Sequence, residues 1–117
     1  MTSDATTGEG VVTATVAVAS DHPAFDGHFP GRPILPGVAV LAEVLEAARA
    51  APALAAAIGA SPRLGVVKFL APVAPGSTLS VTFRLGARTL DWQAGDGVRA
   101  VASGQFVRAD LAVTSTS

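Results

Sequence analysis

The chain has 117 residues, half of them hydrophobic and only 15% charged, with a net charge of −1, two histidines and no cysteine. That length fits one domain with a real core, and the charge balance gives no case for nucleic acid or an anionic membrane. No uninterrupted apolar run reaches the ~18 residues of a transmembrane helix, the absence of cysteine excludes disulfides and thiolate chemistry, and two histidines without clustered acidic residues argue against a metal site.

Residues 1–9 are rich in Thr, Ser, Asp and Gly and read as a flexible tail before a single domain over 10–110. They hold neither a basic nor an apolar leader segment, so a cytoplasmic setting is expected. Val11 to Ala19 alternates β-branched and small residues and predicts a strand. Residues 20–37 form a Pro/Gly loop. Residues 38–51 predict a helix that is apolar nearly all round except at Glu43, Glu46 and Arg49, hence a buried one. Pro52 ends or kinks it, and Ala53 to Ile58 adds a turn or two before Gly59. Strands follow over Arg63 to Leu70, Thr78 to Leu85 and Arg88 to Gln93, with a Pro/Gly turn over Ala71 to Ser77. Asp96-Gly97 carries hairpin chemistry, Val98 to Arg108 is the last strand, and 111–117 is a second flexible tail. One buried helix followed by a run of antiparallel strands is an α+β fold, with a sheet wrapped around the helix. An apolar content this high in a chain this small suggests surface hidden in an oligomer.

The densest signal is the run from Asp21 to Val38. It contains Pro23, Pro30, Pro33 and Pro36, Gly27, Gly31 and Gly37, and both histidines, His22 and His28. Proline fixes φ and glycine allows close approach, so this is a stiff loop aimed at the start of the helix. The general base it can hold is histidine.

Gly27-His28-Phe29-Pro30 followed by Pro33-Ile34-Leu35-Pro36-Gly37-Val38 resembles the motif of the 3-hydroxyacyl-acyl-carrier-protein dehydratases, the FabA/FabZ branch of the hotdog superfamily. Lys68-Phe69-Leu70-Ala71-Pro72-Val73-Ala74-Pro75-Gly76 is similar to the family's later strand and turn. The likeness covers roughly residues 16–109. The compact size, Asp21-His22-Pro23 and Glu43-Val44-Leu45 look closest to the ApeI-like dehydratases of aryl-polyene pathways. The resemblance implies a hotdog fold and a homodimer. It also implies a lyase that dehydrates a 3-hydroxyacyl thioester on an acyl carrier protein to the trans-2-enoyl thioester, in fatty-acid-like or aryl-polyene biosynthesis, with no cofactor.

By the same resemblance His28 is the base that removes the proton beside the carbonyl. The backbone N–H at Gly37 or Val38 binds the thioester oxygen, a role that suits the unpartnered N–H groups at a helix start. Phe29 and Pro36 complete the expected substrate contacts. Arg32 and Lys68 are candidates to steer a phosphate on the carrier's arm, against the simpler reading of solvated charges.

The resembled family carries its acid, a carboxylate, four residues after the valine of Pro-Gly-Val, where this chain has Ala42. Glu43 is one residue on, turned about 100° around the helix. Glu46 is one turn on, on the same face as Ala42. Both are candidate acids. Both also have structural readings: Glu46 paired with Arg49, and Glu43 at a subunit boundary or in solvent. Ala42 keeps a second reading open, a non-catalytic hotdog subunit that binds acyl carriers or a partner; a thioesterase on the same fold ranks last, because it lacks a well-placed carboxylate near the helix start.

Overall fold

Proline punctuates this chain, and the element borders follow it. The computed structural model describes residues 3–8, 11–19 and 35–110, which form β1 (Ser3–Gly8), β2 (Val11–Ala17), α1 (Gly37–Arg49), α2 (Pro52–Ile58), β3 (Arg63–Phe69), β4 (Thr78–Leu85), β5 (Thr89–Gly95) and β6 (Ala100–Val107). Pro36 sits at the N-cap of α1 with φ −59° and ψ 149°, the geometry its ring prefers outside a helix. Pro52 opens α2, and Ala51 before it is extended at φ −101°, ψ 116°, which ends α1.

The six strands form one antiparallel sheet in the order β1-β2-β4-β5-β6-β3. This is the α+β architecture expected from the sequence. Its apolar face gathers Val12, Ala14 and Val16 of β2, Leu79, Val81 and Phe83 of β4, Leu90, Trp92 and Ala94 of β5, and Ala102 and Phe106 of β6. Val40, Val44, Ala47 and Ala48 of α1 and Leu54 and Ile58 of α2 join the same core. Trp92 stacks on Phe106 with centroids 6.3 Å apart. It also lies across Gly104, its cross-strand partner, where a Cβ would stand only 2.7 Å from the indole Cζ2. That position accepts only glycine without a shift.

Two sequence expectations are corrected. Residues 1–9 are not all tail: Ser3–Gly8 pairs with β2, setting Thr6 opposite Thr13 and Thr7 opposite Val12. The β2 backbone would otherwise present an unpaired edge, and pairing satisfies it. Nor is α1 buried all round. Its sheet-facing side is covered, but Val38, Ala42, Glu46 and Arg49 are exposed, because a single-layered sheet covers one side of a helix. The expected tail over 111–117 lies outside the described residues. Among those residues no helix is long and apolar enough to cross a membrane.

Candidate active site

Leu35 to Gly37 and the turn that follows β3, more than thirty residues apart in sequence, meet at the N-terminus of α1. Leu35 N–H donates to Val73 O at 2.8 Å, tying the residue before Pro36 to the turn after β3. Leu70 N–H donates to Val101 O at 2.8 Å, tying that turn to β6. Between them lies a cavity of about 390 Å³, walled by Pro36, Gly37, Val40, Phe69, Leu70 and Val101 among others. The walls are apolar side chains and backbone.

The opening turn of α1 faces this cavity. The first N–H groups of a helix lack acceptors within the helix and sit at its positive end. Here Pro36 O accepts from Ala39 at 2.9 Å and from Val40 at 3.1 Å. Among the described residues no side chain caps this end, and no acidic residue occupies the first turn. Nothing from the protein's own first turn neutralises its field. A carbonyl oxygen acquiring negative charge would find N–H donors in an apolar surrounding, the setting in which such donors stabilise most. Phe69 packs directly on the glycine that opens the helix: a Cβ on Gly37 would lie 3.0 Å from the ring carbons Cε2 and Cζ.

Of the expected substrate-contact residues, Pro36 and Gly37 line the cavity. Val38 does not; it is 76% exposed and points outward. His28 and Phe29 lie outside the described residues, as does Arg32. The two candidate acids part company. Glu43 is buried, on the same side of α1 as Val40, Val44 and Ala47. Glu46 is exposed on the stripe it shares with Val38 and Ala42. Neither lines the cavity of the single chain.

Lys68 lies on the outer face of the sheet, in a polar groove with Thr82, Arg84 and Gln93. Strand alternation explains this, since its neighbour Phe69 faces the cavity. The cavity walls Val40, Phe69, Leu70 and Val101 were not assigned a role from sequence. The only available signal was the Lys68–Gly76 stretch, which the resemblance marked without giving it a function.

A family model described as ApeI-like, ApeI dehydratase, matches residues 4–105. The chain is 34% identical to the 3-hydroxyacyl-[acyl-carrier-protein] dehydratase FabZ of Rhodopseudomonas palustris over 77% of its own length and 63% of that protein. It is 38% identical to the FabZ of Rhizorhabdus wittichii over 58% of its own length and 47% of that protein. The chain thus spans about half to two thirds of the curated relatives it matches. In fold it is similar to the dehydratase heterocomplex ApeI:P from Xenorhabdus doucetiae, with a TM-score of 0.70 at 20% identity, covering 92% of this chain and 98% of that one.

Proposed function

The chain belongs to the ApeI-like dehydratase family, and we propose that it removes water from a 3-hydroxyacyl thioester carried on an acyl carrier protein, giving the trans-2-enoyl thioester. The observation that carries this reading is the start of α1: a helix end that, among the described residues, has no side-chain cap and no acidic residue in its first turn, and that opens into an apolar cavity. A thioester oxygen accepting from the Gly37 or Val38 N–H gains stabilisation as the neighbouring carbon loses its proton. His28 takes that proton. The C–O bond to the 3-hydroxyl then breaks, and an acid supplies the proton with which it leaves as water. The thioester itself acidifies the carbon, so the chemistry calls for no cofactor.

For the acid we assign Glu46. Its exposed stripe, Val38–Ala42–Glu46, includes the position that the resemblance reserves for a carboxylate. Glu43, turned about 100° from Ala42, is buried instead of lying on that stripe. Among the described strands β3 has no neighbour on its outer side, and Leu64, Val66, Phe69 and Leu70 there are all more than half exposed; a second copy pairing along this edge would enclose the stripe. An unpaired apolar edge strand is a template for another strand, and large apolar surface left open marks an interface. The functional unit is therefore a homodimer, with the cavity at the subunit boundary.

The test is incubation with 3-hydroxyacyl-carrier thioesters, reading loss of water by mass. Wild-type protein should convert them, and His28→Ala should lose ~10²-fold or more with its fold intact. Near-parental turnover in His28→Ala, or no turnover by the wild type on any chain length, refutes the proposal.

A further inference from the structure

Phe69 is the last residue of β3, and the chemistry proposed above does not use it. Its ring rests on the Cα of Gly37, close enough that a Cβ there would be 3.0 Å from two ring carbons and 3.2 Å from a third. Ala102, its cross-strand neighbour, is too small to hold the ring from the other side. The ring is 52% exposed, although it forms one wall of the cavity at the α1 start. The facing walls are fixed: Val40 and Val101 are 3% and 1% exposed and belong to the core, and Pro36 and Gly37 present backbone. Among the described residues Phe69 is thus the aromatic wall of the cavity, and it is seated directly over the helix end.

An oxygen accepting from the Gly37 N–H would sit about 3 Å from that nitrogen. The carbonyl carbon and the carbon beside it then follow within two bond lengths. The side of Gly37 covered by the ring is already at van der Waals contact, so a branch on that neighbouring carbon has no room there. We propose that Phe69 is a specificity-determining residue that restricts the site to acyl groups unbranched at the carbon next to the thioester. This rests on the dehydratase reading and adds the shape of acyl group the site takes. One methyl group in an apolar site is worth about 10–200-fold in discrimination.

The experiment compares 3-hydroxyoctanoyl and 2-methyl-3-hydroxyoctanoyl N-acetylcysteamine thioesters. Wild type should favour the unbranched one by ~10-fold or more in kcat/KM. Phe69→Ala should bring the ratio close to one, chiefly by improving the branched substrate. Phe69→Leu should fall between and serves as the folded control should the alanine variant prove unstable. A ratio that is the same in wild type and both variants overturns the inference. Binding separates this from the dehydratase reading. Calorimetry with the saturated octanoyl and 2-methyloctanoyl thioesters should give the same loss of discrimination in Phe69→Ala even if no water is lost. Equal affinity ratios in wild type and variant overturn the role of Phe69, whereas absent turnover with altered ratios overturns only the dehydration.

Discussion

Among the described residues two glycines, Gly37 and Gly104, lie against aromatic rings, and the same substitution should have opposite outcomes at them. At Gly104 an added Cβ would lie 2.7 Å from Trp92 Cζ2, 2.9 Å from Cε2 and 3.1 Å from Nε1. Trp92 is 3% exposed and stacked on Phe106, so the indole cannot swing away without disturbing the core. Overpacking of this kind costs about 1–3 kcal/mol. Replacing glycine in a strand returns about 0.5–1 kcal/mol through lost unfolded-state freedom. The overpacking term wins, and Gly104→Ala should be destabilised by about 1–2 kcal/mol, which lowers Tm by roughly 4–8 °C or more in a domain of this size. At Gly37 the obstacle is the half-exposed ring of Phe69 on an edge strand, and a shift of a few tenths of an ångström by that ring relieves the contact. Helix propensity favours alanine there by up to about 1 kcal/mol, so Gly37→Ala should change stability by under ~1 kcal/mol with Phe69 still on the cavity wall. Thermal and urea melts of both variants measure this. A Gly104→Ala as stable as the parent, or a Gly37→Ala as damaged as Gly104→Ala, refutes the reasoning.

Glu46→Gln should lose at least ~10²-fold in turnover with an unchanged melt, whereas Glu43→Gln should mainly alter stability; kinetics beside melts on both variants check the division of roles. Light scattering at micromolar concentration should give twice the chain mass, and Val66→Lys, which puts a charge on the β3 edge, should shift it towards the monomer. The Asp96 carboxylate accepts from the Val98 and Arg99 N–H groups at 2.9 and 3.0 Å, and these bonds, chiefly that from Val98, hold its pKa below the usual carboxylate value. A pKa lowered on folding contributes stability above the unfolded value and loses it as pH falls through the folded one. Asp96→Asn should therefore be less stable than the parent in urea at pH 7, with the gap narrowing as pH falls below the ordinary carboxylate range.

The elements that sequence reading located to within about two residues are those bordered by residues whose backbone chemistry is local. Pro36 and Pro52 set the ends of α1, and alternating Thr, Val and Phe between turn residues set β4. β1 escaped because Ser3–Gly8 has no apolar alternation of its own; its pairing answers the free edge of β2, a demand made by another part of the chain. The open face of α1 escaped for a related reason. Thirteen residues with two glutamates and one arginine look buried in any direction, and only the number of sheet layers decides which side stays bare. At the candidate site, Pro36 and Gly37 were legible because the motif is contiguous. The walls made by Phe69, Leu70 and Val101 depend on β6 lying between β3 and β5, an arrangement no local pattern encodes.

Among the described residues the bare edge of β3 and the bare stripe of α1 adjoin. β3 ends at Phe69, Phe69 rests on Gly37, and Gly37 opens the helix whose outward stripe runs through Val38, Ala42 and Glu46. Anything that pairs along the β3 edge therefore also reaches the cavity mouth and the stripe. Burying the exposed apolar side chains there, at about 25 cal/mol per Å², would favour association and in the same step exclude water from the N–H groups at the helix start. Excluding water strengthens those donors towards a developing negative charge. Under the proposed function, assembly and catalysis are then one event: dilution to monomer should remove activity in step with mass, and a monomer retaining full turnover would separate them.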